Sequence, residues 1–416
     1  MSERIEAVRG TKDVLPADVY KWRYVEQVAA DTAACYGFEE VRFPTFEKTE
    51  LFKRGVGDST DVVQKEMYTF QTKGETSVTL RPEGTASVAR LCIQNGLFAG
   101  LMPLKLFYSI SCFRYEKPQA GRYREFHQFG VEVFGSPEPH ADCETICLAD
   151  RILRRMGLND IELKINSIGC PSCRAEYNAA LKSYFDSHVS ELCGTCTERL
   201  QRNPMRILDC KCPSCAAVAS KAPKITDYLC QECREHFGHT CDTLADLNIK
   251  YTVDPFIVRG LDYYTRTVFE FIDPRSGLTI LAGGRYDGLV SQLEPKLKVP
   301  GLGFAMGLER LIMIMSDRGL SFGEHKTYDV YLAGLGERGS RLAFKLAERL
   351  RERGLGACTD LMGRSLKAQM KYADKTGALY TMVLGDSEVD SGSAELRDMR
   401  DGTVRRVDLS KVEQWF

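Results

Sequence analysis

A cluster of cysteines is the feature that most restricts how this chain can fold. Ten of its sixteen cysteines lie between Cys170 and Cys241, and eight of the ten form four Cys-x-x-Cys pairs. In a chain of this size without a secretion signal, such pairs indicate metal binding rather than disulfides. The sequence therefore predicts a polar, partly helical module at residues 170–245 that interrupts a larger domain.

The spacing of these cysteines suits structural zinc. Two candidate ligand sets follow: Cys193, Cys196, Cys212 and Cys215, with fifteen residues between the two pairs, and Cys170, Cys173, Cys230 and Cys233 across the insertion. Cys210 is an alternative to Cys212, and Cys241 is left over. The competing interpretation is a set of reduced thiols that bind no metal.

Length and composition set the broad class. A chain of 416 residues is longer than one hydrophobic core usually supports, so we expect two or three domains. The formal net charge of −1 gives no overall positive field, and a nucleic-acid surface would have to be a local patch. No apolar run approaches the roughly 18 residues of a membrane-spanning helix. The N-terminus has no signal-peptide pattern, which favours a cytoplasmic location.

The part of the chain up to residue 325 mixes helical and strand patterns. Residues 104–115 and 126–134 are apolar and aromatic-rich, which predicts an antiparallel pair of strands joined by a long loop. Residues 282–288 are typical of a glycine-rich turn. Residues 301–315 indicate a strand that leads directly into an apolar helix.

A polar linker at residues 317–326 precedes a segment of different character. In residues 326–416 strand patterns alternate with amphipathic helices, which predicts a small α/β domain. Residues 338–375 contain ten Lys or Arg and four Asp or Glu, a local net charge of +6. Such a stretch is either a solvated helical face or a nucleic-acid surface.

Three arginines occupy places that packing alone does not explain. Arg114 and Arg259 each close an apolar strand-like run, and Arg310 lies near the start of an apolar helix. A guanidinium group in such a place is costly unless it is paired, and its planar fork suits phosphate oxygens. The alternative is that each arginine forms an ordinary ion pair.

Carboxyl, amide and phenol groups occur in similar settings. Glu83 follows an apolar run, Gln128 and Glu132 share one face of a predicted strand, and Tyr263 and Tyr264 closely follow Arg259. Such a set could hold a small substrate with an amino group beside a polyphosphate. The sequence has no Ser-His-Asp pattern, Walker-type loop or dinucleotide fingerprint, which argues against those chemistries.

Several motifs occur in one order along the chain: VRGTKD at 8–13, FP at 43–44, LRPEGT at 80–85, FRYEKP at 113–118, GRYREFHQ at 121–128, VRGLDYYTR at 258–266, AGGRYDG at 282–288 and GLGFAMGLER at 301–310. Together they resemble histidyl-tRNA synthetases. They correspond to the N-terminal signatures, to class II motifs 1, 2 and 3, and to the two histidine-specific motifs of that family. The resemblance covers nearly the whole chain.

The resemblance implies an α+β fold. A class II synthetase catalytic domain, built on an antiparallel sheet, would span residues 1–325 and carry the Cys-rich insertion at 170–245. A C-terminal α/β anticodon-binding domain would span residues 326–416. The resemblance also implies a homodimer formed around motif 1.

The resemblance assigns roles in ATP binding and catalysis. Arg114 would grip the α-phosphate and the histidine carboxylate, and Arg259 would stabilise charge on the α-phosphate, which makes these two the catalytic residues. Arg310 would hold the bent nucleotide at its γ-phosphate, and Glu116 and Arg122 complete the ATP-binding set. Mg²⁺ would enter with ATP.

The resemblance also assigns the amino-acid and tRNA contacts. Glu83, Thr85 and Gln128 would bind the α-amino group of histidine, and Glu132 and Tyr264 would read its imidazole. Arg114, Arg259 and Tyr263 complete the histidine-binding set. Gln119 and Arg122 would reach the acceptor end of tRNA(His). Many family members lack the clustered cysteines, so the possible structural zinc rests on spacing alone.

Two other functions compete with ATP-dependent ligation of L-histidine to tRNA(His). One is a non-catalytic, synthetase-like regulatory subunit of histidine biosynthesis, which typically departs from the histidine-specific motifs and lacks the anticodon domain. The other is a nucleic-acid-binding module without catalysis. It is supported by the basic C-terminal stretch and the candidate zinc, but it leaves Glu83, Gln128 and the three arginines unexplained.

Overall fold

The two aromatic-rich segments predicted to pair lie within an eight-stranded sheet. The computed structural model describes residues 4–58, 60–324 and 327–416, and the chain divides into two units, residues 1–323 and 324–416. The predicted domain boundary between residues 325 and 326 falls outside the described residues. None of the described helices combines the length and apolarity needed to cross a lipid bilayer.

Among the described residues, the first unit contains eleven strands: β1 Glu39–Glu40, β2 Phe46–Lys48, β3 Thr69–Gln71, β4 Ser77–Leu80, β5 Leu104–Phe113, β6 Glu125–Phe134, β7 Glu162–Ser167, β8 Thr252–Val253, β9 Thr265–Ile272, β10 Thr279–Arg285 and β11 Gly301–Gly307. The large sheet has the order β1-β5-β6-β11-β10-β9-β7-β8, and β2-β4-β3 form a small sheet. The neighbours from β5 to β7 all pair antiparallel, whereas β1 and β8 pair in parallel at the two edges.

Ten helices accompany these strands in the described part of the first unit: α1 Pro16–Cys35, α2 Thr49–Val56, α3 Thr85–Gln94, α4 Pro139–Arg155, α5 Pro171–Asp186, α6 Gly194–Arg202, α7 Pro213–Ala219, α8 Gln231–Asp246, α9 Leu289–Leu293 and α10 Leu308–Asp317. The first helix begins with Pro16 at its first turn and is followed by Gly37 at φ +78°, a conformation that suits glycine after a helix end.

Both faces of the large sheet are buried. Side chains alternate between the two faces along each strand, so successive residues pack against different helices. On β5, Phe107 packs with residues of α1, α4 and α10, whereas Leu106 and Tyr108 pack with α3 and the Cys-rich insertion. The predicted antiparallel pair is confirmed: Leu104 faces Phe134 at one end and Phe113 faces Glu125 at the other. The α+β class with an antiparallel sheet is therefore confirmed.

The glycine-rich turn predicted at residues 282–288 is wrong at its start. Residues 282–285 belong to β10, which pairs with β9 on one side and β11 on the other. A Cβ atom on Gly283 would lie 2.2 Å from the carbonyl oxygen of Gly303, so glycine here permits close strand packing. The turn follows, and residues 286–288 lie outside the strand.

The insertion consists of four helices, α5 to α8, linked by short turns that include the 3₁₀ turn Pro204–Ile207. Each Cys-x-x-Cys pair has the same local structure. The first cysteine is the extended residue that caps a helix, and the second lies in the first turn of that helix. Clustered backbone N–H groups at helix N-termini favour thiolates, so the local fold suits metal-binding sulfur.

The second unit is a mixed α/β fold. Its strands and helices are β12 Val330–Gly334, α11 Gly336–Arg351, β13 Ala357–Thr359, α12 Leu366–Lys375, β14 Tyr380–Leu384, α13 Asp386–Ser391, β15 Ser393–Asp398 and β16 Val404–Asp408. The sheet order is β13-β12-β14-β15-β16, parallel in the first three strands and antiparallel in the last three. The predicted small α/β domain is confirmed.

Candidate active site

A cavity of about 480 Å³ opens against the large sheet. Ten of the predicted site residues line it: Glu83, Thr85, Arg114, Glu116, Arg122, Gln128, Arg259, Tyr263, Tyr264 and Arg310. Two predicted residues do not. Glu132 is buried behind the lining, and Gln119 is exposed on the loop between β5 and β6. Residues from five separate motifs are therefore brought to one place.

Glu83 is a buried carboxylate at the start of α3. Its two oxygens accept hydrogen bonds from the backbone N–H groups of Thr85, at 2.8 Å, and Ala86, at 2.9 Å. Burial raises the pKa of Glu83, while these N–H groups favour the charged form. Fixed in this way at the edge of the cavity, the carboxylate can accept a hydrogen bond from an amino group.

Glu132 lies on β6, and its carboxyl group is surrounded by hydroxyl donors. The hydroxyl groups of Thr85, at 2.7 Å, and Tyr108, at 2.9 Å, donate to Oε1, and that of Tyr286 donates to Oε2. Burial raises the pKa of Glu132 to about 8 despite these hydrogen bonds. The group is therefore mostly protonated at neutral pH.

Arg114 and Arg310 line the cavity from two different elements. Arg114 follows β5, and its Nε donates to the carbonyl of Pro82 at 2.9 Å. Arg310, on α10, donates from Nη1 to the carbonyl of Thr279 at 2.9 Å. Burial lowers the pKa of Arg310, and the nearby charge of Arg122 lowers it further. Both guanidinium groups are thus held by carbonyls and keep donors for an anionic ligand.

Arg259 lies in the irregular segment before β9. Its guanidinium pairs with the carboxylate of Glu270 and lies 6.0 Å from the ring centroid of Tyr264. Burial works against its charged form, but the carboxylate of Glu270 and the hydroxyl group of Tyr264 together outweigh burial and raise the pKa of Arg259. Its buried Nε has no hydrogen-bond partner among the described residues. An anionic ligand in the cavity would therefore find a charged, incompletely satisfied donor.

Two tyrosines form an aromatic wall beside Arg259. The ring centroids of Tyr263 and Tyr264 are 4.8 Å apart, and those of Tyr263 and Tyr286 are 5.5 Å apart. Burial raises the pKa of Tyr263 and of Tyr264, so both phenols stay neutral donors. Neutral hydroxyl groups on a rigid aromatic wall suit a small planar group such as an imidazole.

The loop between β5 and β6 carries the remaining predicted residues. Arg122 pairs with Glu116, with 2.6 Å between Nε and Oε2. Gln119 and Arg122 exchange backbone hydrogen bonds of 3.1 and 2.9 Å across a tight turn. The Gln119 side chain is exposed, and the Arg122 side chain is 47% exposed. Both can therefore contact a large ligand outside the cavity.

Three residues of the site were missed from the sequence. Tyr108 and Tyr286 hold the carboxyl group of Glu132, and Glu270 pairs with Arg259. Tyr286 stands inside a recognised motif, and a polar residue amid the apolar β9 run is a signal for Glu270. Tyr108 gave no such signal, because a tyrosine in an aromatic-rich strand is ordinary.

The clustered cysteines form two groups, each with its four sulfur atoms within 4.8 Å of one another. The first cysteine group is Cys170, Cys173, Cys230 and Cys233, and the second cysteine group is Cys193, Cys196, Cys210 and Cys215. The first agrees with the predicted ligand set. The second corrects the predicted set, because Cys210 takes the place of Cys212. Cys212 caps α7 and directs Sγ to Ser214 Oγ at 3.3 Å, while its backbone N–H donates to Cys210 Sγ.

The spacing of the sulfur atoms fits tetrahedral zinc. Four thiolates about 2.3 Å from zinc have sulfur atoms about 3.8 Å apart. The Cys170 and Cys173 sulfurs are 3.6 Å apart, and those of Cys193 and Cys210 are 3.9 Å apart. A hydrogen bond from the backbone N–H of Cys196 lowers the pKa of Cys193 to about 7, which favours the metal-binding thiolate.

Backbone donors also reach across each cysteine group. The N–H of Cys230 donates to Cys173 Sγ at 3.1 Å, and the N–H of Cys193 donates to Cys215 Sγ at 3.2 Å. Such hydrogen bonds to the ligand atoms orient them and offset their charge. The residues present therefore fit a four-thiolate zinc site in both groups.

Comparison with known protein families gives a match in each unit. The family described as histidyl-tRNA synthetase matches residues 10–311. The family described as anticodon binding domain matches residues 329–416. Each match covers the unit in which the corresponding motifs or the α/β pattern occur.

Individual relatives match along almost the whole chain. A histidine–tRNA ligase of Acetivibrio thermocellus is 52% identical over 409 residues, which is 98% of both chains. One of Clostridium novyi is 50% identical over 410 residues, covering 99% of this chain and 98% of that one. The crystal structure of apo histidyl-tRNA synthetase from S. aureus is 37% identical, with a TM-score of 0.85, and covers 99% of this chain and 100% of that one. The predicted resemblance is confirmed, and the chain belongs to the histidyl-tRNA synthetase family.

Proposed function

We propose that this chain ligates L-histidine to tRNA(His) with ATP, through a histidyl-adenylate intermediate, for protein synthesis. The observation that carries the proposal is one cavity in which four arginines face carboxyl, amide and phenol groups. Guanidinium groups suit phosphates, and the other groups suit an amino group and an imidazole. Family membership over nearly the whole chain supports the same reaction.

In the first step, the histidine carboxylate attacks the α-phosphate of ATP and pyrophosphate leaves. Arg114 binds the α-phosphate and the carboxylate, Arg259 stabilises charge on the α-phosphate, and Arg310 holds the γ-phosphate. One such donor is worth about 3–4 kcal/mol in comparable enzymes. Mg²⁺ bound with ATP would offset phosphate charge. The carboxylate of Glu116, at the cavity, is an oxygen ligand of the kind that Mg²⁺ prefers.

Histidine is bound at its two polar ends. Glu83, Thr85 and Gln128 bind the α-amino group, and Tyr264, braced by Tyr263, binds one imidazole nitrogen. Glu132 binds the other imidazole nitrogen. Because its carboxyl group is held by three hydroxyl donors behind the lining, this contact requires one donor to turn away.

In the second step, the terminal ribose hydroxyl of tRNA(His) attacks the adenylate. The exposed Gln119 and Arg122 contact the acceptor end. We assign residues 1–325 to the catalytic domain, with the insertion at 170–245, and residues 326–416 to the anticodon-binding domain. The match of residues 329–416 to an anticodon-binding family supports this assignment. The charge of +6 in residues 338–375 suits an RNA partner.

The two cysteine groups bind one structural zinc ion each. The support is the four sulfurs in each group, their separation and the backbone donors that reach them. Zinc held by four thiolates has no open position for a substrate, so its role is to stabilise the insertion.

The active form is a cytoplasmic homodimer. Support for the homodimer comes from exposed aromatic surface next to the proline of motif 1. Phe46 and Phe70 are 52% and 47% exposed, with ring centroids 6.5 Å apart. Paired aromatic side chains on the surface are typical of an interface.

The regulatory-subunit alternative is disfavoured by the complete set of site residues. Arg259, Tyr263 and Tyr264 line the cavity, and the C-terminal α/β unit is present. A non-catalytic relative would not need these groups. Identity of 52% to a histidine–tRNA ligase over 98% of the chain points the same way.

The deciding experiment is histidine-dependent ATP–pyrophosphate exchange in wild type and Arg259→Ala. Wild type should exchange with histidine and with no other amino acid, and the variant should lose at least about 10²-fold in kcat. Arg154→Ala, at a surface arginine paired with Asp150, is the matched control and should exchange like wild type. Absence of exchange from folded, dimeric wild type would overturn the proposal and favour the regulatory subunit.

A further inference from the structure

Residues 254–264 form a thin wall of the active site. They join β8 to β9 without helix or strand, and they carry Arg259, Tyr263 and Tyr264. Behind this 254–264 segment lies a second cavity of about 300 Å³. Four residues line both cavities: Val258, Arg259, Leu261 and Tyr264. A segment with open space on both sides depends on a few cross-connections for its position.

Residues beside the second cysteine group supply connections to the middle of the segment. Arg206 donates from Nη1 to the backbone carbonyl of Arg259 at 3.4 Å, and Asn203 donates from Nδ2 to Asp262 Oδ1 at 3.3 Å. Both donors lie between Cys196 and Cys210, two sulfurs of that group. Their positions therefore follow the geometry of the group.

The first cysteine group supplies connections to the other end. Arg174, which follows Cys173 directly, donates from Nη1 to the backbone carbonyl of Tyr264 at 3.1 Å. Gly169, which precedes Cys170, accepts from the N–H of Arg266 at 2.9 Å. Glu232, between Cys230 and Cys233, pairs with the Arg266 side chain. The end of the segment is thus tied to both cysteine pairs of this group.

The insertion also borders the active site directly. Asp209 and Lys211, which flank Cys210, line the active-site cavity. The helices around the second cysteine group are short, nine residues in α6 and seven in α7. Helices of this length are marginal without tertiary support. A metal that joins them is therefore the natural source of order for Asn203 and Arg206.

We infer that zinc in the two cysteine groups positions the 254–264 segment for histidine, with Arg174 and Arg206 as the positioning residues. The inference rests on the proposed zinc sites and on the proposed ligase activity. Loss of zinc from the second cysteine group releases the backbone carbonyl of Arg259 from Arg206. Loss of zinc from the first cysteine group releases the backbone carbonyl of Tyr264 from Arg174. Histidine affinity then falls more than ATP affinity, because the segment carries Tyr263 and Tyr264 on the imidazole side, whereas Arg114 and Arg310 hold the nucleotide from outside it.

The test compares full-length variants by zinc content, histidine Kd from calorimetry, and the KM for ATP in pyrophosphate exchange. Wild type purified without chelator should carry about two zinc ions per chain, and Cys210→Ser about one. Cys212→Ser and Cys241→Ser are matched controls, because neither sulfur belongs to a group, and both should keep wild-type zinc and histidine Kd. Cys210→Ser should bind histidine at least about 10-fold more weakly, with the KM for ATP within about twofold of wild type.

Two arginine variants keep the test decisive where a cysteine variant does not fold. Arg174→Met and Arg206→Met retain the apolar stem and remove the donors. Each should keep wild-type zinc and bind histidine at least about 10-fold more weakly. Unchanged histidine Kd in both, or in Cys210→Ser that has lost one zinc, overturns the positioning role. Zinc below about half an equivalent in wild type overturns the metal sites. Absent exchange in zinc-loaded wild type overturns the ligase activity instead.

Discussion

Two buried carboxyl groups in the first unit have pKa values that are shifted in opposite directions. Asp142 and Glu132 are each 1% exposed. Burial opposes the charge of both, but Asp142 is bonded to His236 and Arg285, and its pKa is lowered. Glu132 is bonded to three hydroxyl groups, burial prevails, and its pKa rises to about 8. A cationic partner makes the difference, because hydrogen bonds from charged donors stabilise a carboxylate more than neutral ones do.

The raised pKa of Glu132 makes stability depend on pH in a defined direction. The folded protein holds this proton up to about pH 8, whereas the unfolded chain releases it near the ordinary value of 4.5. Stability from this group is therefore full below that ordinary value and is lost as pH rises towards 8. Glu132→Gln removes this titration. The free energy of unfolding of the variant, relative to that of wild type, should therefore increase from pH 4.5 to about pH 8.

Urea unfolding of wild type and Glu132→Gln at a series of pH values measures this difference. The exposed Glu162, at the start of β7, supplies the control variant Glu162→Gln, whose pH profile should run parallel to wild type. Parallel profiles for Glu132→Gln and wild type would contradict the assignment of a raised pKa.

Single residues show which parts of the site are readable from sequence. Arg114, Arg259 and Arg310 stood out because charge at the end of an apolar run needs an explanation, and the structure places all three at one cavity. Which of Cys210 and Cys212 belongs to the second cysteine group could not be predicted from the sequence. Both fit a zinc spacing, and only the positions of the sulfur atoms in the folded chain, which spacing does not contain, place Cys210 in the group.

At the level of elements, glycines set how closely the central strands pack. Gly283 on β10 lies against β11, and an added Cβ would come 2.2 Å from the carbonyl of Gly303 and 2.6 Å from Phe304 Cβ. Backbone atoms cannot move away as a flexible side chain can. This explains why a glycine-rich sequence typical of a turn begins inside a strand here.

Gly283→Ala should therefore destabilise the protein. Overpacking of this kind costs about 1–3 kcal/mol, and here the obstacle is backbone. Gly238→Ala, in the interior of α8 with no atom within 4 Å of the added Cβ, is the control and should be neutral or stabilise by up to about 1 kcal/mol. Thermal unfolding monitored by circular dichroism compares them. An unchanged melting temperature for Gly283→Ala would show that β10 and β11 can separate.

The elements that were predicted share a clear apolar pattern. The β5–β6 pair and the passage from β11 to α10 are long, apolar segments, and both were identified. The strands β15 and β16 were not, because their sequences, SAELRD and VRRVD, are rich in charge and half exposed. They are strands because β15 pairs with β14 and β16 pairs with β15, contacts that the pattern of each segment alone does not contain.

At the scale of the whole molecule, the chain is built from two units with separate cores. The predicted site residues lie in the first unit, and the second has its own core around Val330, Leu346 and Met382. The change of pattern near residue 320 was visible in the sequence. The convergence of the catalytic motifs was predicted from the family resemblance. The local sequence pattern does not predict contacts between distant residues such as Arg259 and Glu270.

Removal of residues 324–416 should separate the two steps of the reaction. A chain of residues 1–323 retains every residue that lines the active-site cavity, so histidine-dependent ATP–pyrophosphate exchange should stay within about 10-fold of the full chain. Aminoacylation should fall by at least about 10²-fold in kcat/KM for tRNA, because the proposed anticodon contacts are gone. The isolated second unit should unfold in one cooperative transition, which would show that the cut leaves its core intact. Loss of exchange from a folded 1–323 chain, or unchanged charging of tRNA, would contradict this division of labour.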